Sequence, residues 1–277
     1  MPSAAIRHPD LFRTRYGSWA VVTGASSGLG REMAGCLAAA GLHVVIVARR
    51  EDVLRDLATQ LLDRYSVEVR VLAADLATTG GRDEVHTATA DLDVGLLVAA
   101  AGFGTSGLFL DAVPAEEAAM LEVNCRAVLD MTRHFAQRFV DRGRGGIVLF
   151  ASLVGRQGTP YAAHYAATKA YVLTLAEGLH RELAPHHVDV IATAPGPVHS
   201  GFADRAGMTM GRAATPAQIA APTLNALGRR AVVVPGLLST VLTWSLAPLP
   251  RSRRTQIMSV IMRGMTGASR RPSRTAA

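Results

Sequence analysis

A short apolar run at residues 19–22 leads directly into a glycine-rich stretch at 23–30, and a helical pattern follows at 31–40. Few folds accommodate this succession, because a buried strand must end in a turn that favours glycine before a helix can begin. Gly41 then occupies the position after the helix where a left-handed residue is favoured. The pattern therefore predicts the first strand–turn–helix unit of an open α/β sheet.

The glycines of this turn indicate a binding site for a dinucleotide. Gly24 allows a tight turn, Gly28 lets a pyrophosphate approach the backbone, and Gly30 lets the helix pack closely on the strand. The helix N-terminus would add free N–H groups and the positive end of the helix dipole. The alternative is a purely structural glycine turn.

The alternation of strand and helix continues along the chain. Further apolar strands are predicted at residues 43–48, 68–72, 94–99, 146–151, 188–194 and 232–234. Continuous apolar runs are typical of parallel strands that are covered on both faces. We therefore expect an α/β fold, with a single Rossmann-type, doubly wound parallel sheet of about seven strands and helices on both faces.

The chain has 277 residues and is 49% hydrophobic, which is enough to build the core of one such domain. Residues 1–17 are expected to form an N-terminal arm and residues 18–250 the domain itself. Within the domain, residues 201–228 are rich in Gly, Met and Ala and predict a helical lid. Residues 251–277 are expected to form a basic C-terminal helix and tail.

Charge and composition exclude several functional classes. The net charge is +7, and every charged residue after Asp204 is an arginine. Aromatic residues make up only 5%, and no basic stretch alternates with them, so nucleic-acid binding is not expected. Cys36 and Cys125 fit neither a disulfide framework nor a zinc site, so we expect no metal and a reducing cytoplasm. The N-terminus shows no signal-peptide pattern.

The second predicted strand ends in Arg49 and Arg50. An acidic residue here would bind a ribose 2′-hydroxyl, whereas an arginine suits a 2′-phosphate. We therefore expect Arg49 to select NADP(H). The alternative is that both arginines are ordinary solvated charges.

Tyr165 and Lys169 lie four residues apart in a helical pattern at 161–183, so they face the same side of the helix. A nearby cation favours the phenolate, and such a tyrosine can exchange a proton with a substrate oxygen. Lys169 is the only lysine among 29 basic residues. Its compact ammonium, with an adjustable pKa, suits proton chemistry where arginine does not. The alternative is a chance pair on a surface helix.

Two further polar residues occupy informative positions. Asn124 lies inside a helix predicted over residues 114–141, although asparagine is a poor helix former. Ser152 follows the strand at 146–151, at the sheet edge where open α/β folds bind ligands. Both are candidate site residues, with a solvated asparagine as the alternative for Asn124.

Together these motifs resemble the classical short-chain dehydrogenase/reductase family over residues 17–236. The resemblance rests on motifs in the family's order and rough spacing: Gly24, Gly28 and Gly30, then Asp75, Asn124, Ser152, Tyr165, Lys169, Pro195 and Gly196. One departure is that Ala99 and Ala100 replace the usual pair of asparagines. Segments near 101, 195 and 233 are similar to a subgroup related to microsomal ketoacyl and hydroxysteroid reductases.

The resemblance implies four catalytic residues. Ser152 would hydrogen-bond a substrate carbonyl and Tyr165 would protonate it, while the nicotinamide delivers hydride to its carbon. Lys169 would lower the Tyr165 pKa and bind the nicotinamide ribose. Asn124 would hold a water molecule that links Lys169 to solvent.

The resemblance also implies the residues that contact the cofactor. The expected set is Gly24, Ser26, Ser27, Gly28, Leu29, Gly30, Arg49, Asp75, Leu76, Ala100, Ala101, Gly102, Tyr165, Lys169, Pro195, Gly196, Val198 and Ser200. His164 and His199 flank the site but match no catalytic position, and we interpret both as structural or substrate-lining.

The resulting hypothesis is an NADP(H)-dependent oxidoreductase that acts on the carbonyl or secondary alcohol of a small molecule. Met208 and Met210 in the apolar lid favour a hydrophobic substrate. A catalytically silent NADP-binding sensor or scaffold is the alternative. Family analogy implies a homodimer or homotetramer.

The C-terminal segment allows two interpretations. Ile257, Val260, Ile261 and Met265 fall on one helical stripe beside several arginines, as in a helix that lies on anionic lipid. Such a helix would make the protein peripherally membrane-associated. The other interpretation is that this segment packs on the lid or on a partner subunit.

Overall fold

Seven parallel strands form one sheet in the order β3-β2-β1-β4-β5-β6-β7, and the fold predicted from the sequence is confirmed. The computed structural model describes residues 5–209, 211 and 213–266. The strands are β1 Trp19–Thr23, β2 His43–Ala48, β3 Val69–Ala73, β4 Val94–Ala99, β5 Gly145–Phe150, β6 Val188–Thr193 and β7 Val232–Val233. The helices are α1 Pro9–Tyr16, α2 Gly28–Ala39, α3 Glu51–Tyr65, α4 Thr79–Ala88, α5 Pro114–Leu121, α6 Ala127–Arg142, α7 Ala163–Glu182, α8 Phe202–Arg205, α9 Pro216–Ala226, α10 Leu237–Leu246 and α11 Arg251–Thr266.

Helices cover both faces of the sheet, which explains why the central strands are apolar without alternation. One core layer contains side chains from α1, α2, α3 and α9, and the other contains side chains from α4, α6 and α7. The carboxyl ends of the strands consequently meet at one edge, between the two layers. The order of the strands reverses between β1 and β4, which is where such sheets bind ligands.

The expected N-terminal arm is largely helical. Phe12 and Tyr16 of α1 are buried in the core beneath β4 and β5. The Tyr16 hydroxyl donates a hydrogen bond to Asp189 over 2.8 Å, and Arg15 pairs with the same carboxylate. This segment therefore closes the end of the sheet opposite the cavity.

The helix predicted over 114–141 is interrupted. A π-helical turn at Glu122–Arg126 separates α5 from α6 and contains Asn124. A π-turn widens the helix locally and frequently marks a functional position. The poor helix propensity of Asn124 thus coincides with a real break in the regular geometry.

The lid predicted over residues 201–228 is shorter in the structure. Among the described residues of this segment, α8 and the residues directly after it line the cavity, whereas Ala220 and Leu224 of α9 are buried in the core layer that contains α2. A capping box between Thr215 and Gln218 begins α9. Met210 of the predicted lid and residues 267–277 of the predicted tail lie outside the described residues.

The two C-terminal helices lie beside the cavity. Met258 and Met262 of α11 are buried in a small cluster with Phe103, Met120 and Tyr165. Two residues of the predicted stripe, Ile261 and Met265, therefore pack towards the cavity, as in the packing interpretation. The inward face of α11 carries Met258, Ile261, Met262 and Met265, whereas Val260 is 75% exposed.

Candidate active site

A cavity of about 750 Å³ opens at the carboxyl edge of the sheet, between the glycine turn, α7 and the C-terminal helices. All the residues predicted to contact the cofactor line this cavity. Ser152, Tyr165 and Lys169 of the predicted catalytic set line it too, and Asn124 lies directly behind its wall. The structure thus brings together residues that are far apart in the chain.

Two positions of the glycine turn have no space for a side chain. Gly24 and Gly28 have φ angles of +69° and +54°, in the left-handed region that favours glycine. A Cβ atom on Gly24 would lie 2.8 Å from the backbone of Ala101, and one on Gly28 would lie 3.0 Å from Ser200. Ser27 precedes α2 without capping it through its side chain, so the first N–H groups of the helix stay available. These features fit the pyrophosphate of a dinucleotide.

Three arginines line the cavity, two at the end of β2 and one on α8. Arg49 and Arg50 line it where β2 ends, and Arg50 donates a hydrogen bond to Ser26 over 3.1 Å. Arg205 of α8 lies with its guanidinium 4.0 Å from the centroid of the Phe103 ring. Burial and the neighbouring Arg49 lower the pKa of Arg205. Among the described residues, none of the three pairs with a carboxylate, so the cluster is available for an anion.

A buried arginine fixes the segment expected to hold the adenine. Arg82 is 3% exposed, donates to the Leu76 carbonyl over 2.9 Å and to Asp130 over 2.8 Å. Asp75 accepts a hydrogen bond from the backbone of Ala77, which turns the chain after β3. Arg82 therefore fixes the orientation of Asp75 and Leu76 from beneath, and its own charge is paired with Asp130.

The departure at Ala99 and Ala100 leaves the backbone contacts of this segment intact. The Thr23 hydroxyl accepts a hydrogen bond from the Ala101 N–H over 3.1 Å. Ala99 is buried within β4, where an amide would need its own partners. The floor of the cavity is thus held by the hydrogen bond to Thr23 of β1, and not by side-chain amides at positions 99 and 100.

Tyr165, Ser152 and Lys169 meet where the end of β5 faces α7. Tyr165 and Lys169 are one turn apart and both are buried. The Lys169 Nζ atom lies 5.8 Å from the centroid of the Tyr165 ring and donates to the Phe150 carbonyl over 2.8 Å. Ser152 follows β5 and forms a side-chain hydrogen bond with Tyr165.

Burial determines the protonation of this pair. It raises the pKa of the Tyr165 phenol above its ordinary value, and the hydrogen bond with Ser152 opposes the rise. It also lowers the pKa of Lys169 to about 8, while Cys125 opposes that fall. Lys169, whose ammonium donates to Phe150, is not among the groups that shift the Tyr165 pKa in this arrangement, and its effect on that pKa stays a prediction. At neutral pH, Tyr165 carries a proton that it can donate.

The Asn124 side chain is fully engaged by protein groups. Its Oδ1 atom accepts from the Phe103 N–H over 3.1 Å, and its amide donates to the Phe103 carbonyl and to the Thr168 hydroxyl. A Cβ atom on Gly102 would lie 2.9 Å from Asn124 and 3.4 Å from Lys169. Asn124 thus joins the loop after β4 to the helix that carries Tyr165.

The half of the cavity beyond Tyr165 is apolar. Met208 faces it from the lid, as the composition of that segment suggested. Sequence reasoning did not predict the other apolar residues that line it, which are Phe103, Val154, Phe202, Leu242, Met258, Ile261, Met262 and Met265. No local motif signals them, since each is an ordinary hydrophobic residue in its own segment.

The two histidines near the site hold the chain in place. His164 lies 2.7 Å from Glu117, which also accepts a hydrogen bond from Thr105. The backbone N–H of His199 donates to Ala214. Neither histidine is among the cavity-lining residues, which favours the structural interpretation of both.

Comparison with known proteins finds a matching family model and a similar enzyme. A family model described as short chain dehydrogenase matches residues 18–210. The chain is 35% identical to 7β-hydroxysteroid dehydrogenase of Clostridium sardiniense over 185 residues, covering 67% of this chain and 71% of that protein.

Solved structures agree. One from work on the stereoselectivity of 7β-hydroxysteroid dehydrogenase has a TM-score of 0.81 at 28% identity, covering 89% of this chain and 98% of the other. A short-chain dehydrogenase from Sphingobium yanoikuyae in complex with NADPH has a TM-score of 0.76 at 29% identity, covering 94% and 98%.

Proposed function

The chain belongs to the short-chain dehydrogenase family of oxidoreductases, and on this premise we propose that it transfers hydride between NADP(H) and the carbonyl or secondary alcohol of a hydrophobic small molecule. The observation that carries this proposal is the position of Tyr165. Its buried, protonated phenol interacts with Ser152 at the boundary between the polar and apolar halves of one cavity.

The chain's residues divide the chemistry among them. Ser152 would orient the substrate oxygen, and Tyr165 would donate a proton to it during reduction. The bound nicotinamide supplies the hydride. Lys169 would bind the ribose and exchange protons with Tyr165, for which a pKa of about 8 is suitable. Asn124 would act by holding Phe103 and Thr168, and so the walls around Lys169, in place.

The three arginines support NADP(H) over NAD(H). A 2′-phosphate carries a charge that Arg49 and Arg50 can pair with, and the end of β2 offers no carboxylate for a free 2′-hydroxyl. Arg205 would approach the same anion from the lid. The NADPH held by a structural relative is consistent with this preference.

The substrate is proposed to be bulky and apolar. Four methionines contribute to the cavity wall, and methionine side chains adapt to ligands of different shapes. Hydroxysteroid and long-chain ketones are the first compounds to test, because relatives act on a hydroxysteroid.

The proposal predicts that NADPH is oxidised in the presence of a bulky ketone, in an assay over a panel of steroid, aromatic and long-chain ketones. The silent-sensor alternative predicts NADPH binding without turnover on every member of the panel. Tight NADPH binding combined with no turnover across reduction and oxidation assays would favour the sensor.

We further propose that the protein is a cytoplasmic homodimer or homotetramer. Leu121, Leu129 and Tyr171 on α5, α6 and α7 are exposed, which is consistent with a contact between copies of these helices. Light scattering on the purified protein measures the mass, and Leu129→Glu should reduce it if this face forms the contact.

A further inference from the structure

Helix α10 presents a wholly apolar face to solvent. Leu237 is 82% exposed, Leu238 60%, Val241 56% and Trp244 74%. These residues are spaced one, four and seven positions apart, so they form one continuous stripe. Large apolar side chains at such exposure are common singly but rarely adjacent, and a contiguous patch marks a contact surface.

The polar residues of α10 do not interrupt this surface. The Thr240 hydroxyl donates to the Gly236 carbonyl, Thr243 donates to Ser239, and Ser245 donates to Leu242. Their hydroxyl groups are thus bonded to the helix's own backbone. The helix can leave water without exposing an unpaired hydroxyl donor.

The opposite face of α10 anchors the helix to the domain. Ser239 and Leu246 are buried, and Leu242 lines the cavity. The Ser239 Oγ atom accepts a hydrogen bond from the Gly196 N–H over 3.1 Å. The orientation of the helix is therefore fixed, and its exposed stripe is a rigid feature of the surface.

The charges around α10 favour an anionic partner. No acidic residue follows Asp204 in the sequence. Arg251 and Arg253 lie in the first turn of α11, which begins after a four-residue connection from α10, and both are exposed. Two copies that meet through this stripe would each bring the same excess of positive charge to the contact, which opposes their association. An anionic lipid surface satisfies both the apolar stripe and the adjacent positive charge.

We propose that α10 docks the protein on the surface of anionic membranes, with Leu237, Leu238, Val241 and Trp244 in the interfacial layer and Arg251 and Arg253 against the headgroups. The contact is peripheral, since no helix within the described ranges is both long and apolar enough to span a bilayer. An indole suits this layer, because its ring is apolar and its N–H can bond to water or a headgroup. The contact differs from one through α11, whose apolar face lines the cavity.

The chain allows a direct test, because it contains only two tryptophans, Trp19 and Trp244. In a Trp19→Phe variant, Trp244 is the only indole. Vesicles containing phosphatidylglycerol should shift its emission to shorter wavelength and protect it from an aqueous quencher, whereas phosphatidylcholine vesicles should have little effect. Unchanged emission and full quenching on the anionic vesicles would overturn the proposal.

Flotation with the same anionic vesicles identifies the face. Leu237→Ser with Trp244→Ser should weaken binding by about tenfold or more, since two large apolar side chains leave the lipid. Leu11→Ser is the matched control, because Leu11 is 69% exposed on α1 and should not affect binding. Arg251→Gln with Arg253→Gln should also weaken it and reduce its dependence on salt. Equal binding by the α10 variant and the Leu11 variant would exclude α10.

The competing occupant of this face is a second copy of the chain. Sedimentation without lipid measures the mass of the wild type and of the Leu237→Ser, Trp244→Ser variant. Equal masses support the lipid contact. A smaller mass for the variant would identify a subunit interface and overturn the proposal.

Discussion

The two halves of the cavity are built in different ways. The cofactor half consists of turns at the ends of adjacent strands, and its residues come from short motifs around Gly28, Arg49 and Asp75. The substrate half consists of side chains from helices far apart in the sequence, such as Phe202 and Met262. One half is shaped by backbone and the other by side-chain volume.

This difference determines what a substitution should do. A change in the cofactor half alters binding of the dinucleotide and so affects every substrate equally. A change in the substrate half alters which molecule fits and leaves the dinucleotide in place. Tyr165 lies on the boundary, so its removal should stop the reaction in both directions.

The largest expected effect is that of Tyr165→Phe. The variant keeps the ring, which packs against Phe202, and loses only the proton donor. We expect turnover to fall about 10²- to 10⁴-fold, because general acid catalysis contributes that much. NADPH binding, measured by fluorescence titration, should change little. Tyr161→Phe is the matched control, since the Tyr161 hydroxyl accepts a hydrogen bond from Arg263 and Tyr161 is not among the described residues that line the cavity. Substantial activity in the Tyr165 variant would remove it from the mechanism.

The second effect tests the cofactor half alone. Arg49→Ala should weaken NADPH by about tenfold to a hundredfold, since a hydrogen bond to a charged group contributes roughly 1.5–3 kcal/mol. NADH binding should be nearly unchanged. The exposed Arg64 of α3 provides a control charge deletion outside the cavity. A wild type that binds both cofactors equally would contradict the assignment of Arg49.

The third effect tests the substrate half alone. Met262→Ala removes a buried wall residue and should lower kcat/KM for a bulky ketone by roughly tenfold, with NADPH affinity unchanged. It should also cost about 2–5 kcal/mol in the free energy of unfolding. Met131→Ala is the control, because Met131 is 1% exposed in the core between α6 and the sheet. If both variants lose activity in proportion to their stability, the wall residue has no role in specificity.

The same difference explains how much of the molecule could be predicted. Gly24, Arg49 and Tyr165 were found because each belongs to a local pattern whose chemistry needs that residue type. The parallel sheet was predicted from continuous apolar strands that alternate with helices, because parallel strands are covered by helices on both faces. Each of these features depends on residues that are close together in the sequence, so the sequence alone is enough to predict it.

The rest depends on contacts that the sequence does not express. The stripe predicted on α11 included Val260, which is exposed, and missed Met258, because periodicity cannot tell which side of a helix meets the domain. From the sequence, Arg205 is one of many arginines in a basic segment, and only the fold shows that its guanidinium lies over Phe103. The rise of the Tyr165 pKa likewise follows from burial, which the spacing of Tyr165 and Lys169 does not express.

The smallest effect concerns the support beneath the cofactor half. His86 of α4 and His134 of α6 stack with ring centroids 3.8 Å apart, and their Nε2 atoms are buried without a hydrogen-bond partner in the described structure. Burial lowers the pKa of His86, and burial together with His86 and Arg138 lowers that of His134 to about 4. Asp130 opposes both shifts.

Because these pKa values are lower in the folded protein than the ordinary 6.5, the unfolded chain binds more protons as the pH falls. Stability should therefore be complete above about pH 6.5 and decrease as the pH falls from there towards 4. We expect Tm to decrease over this window in the wild type and less steeply in His134→Phe, which keeps the stack with His86 but cannot be protonated. Scanning calorimetry between pH 7 and 5 measures the difference. Helix α4 begins at Thr79, shortly after Asp75 and Leu76, so we also expect the affinity for NADPH to weaken over the same window. Parallel acid profiles for the two proteins would show that the stack is not the acid-labile contact.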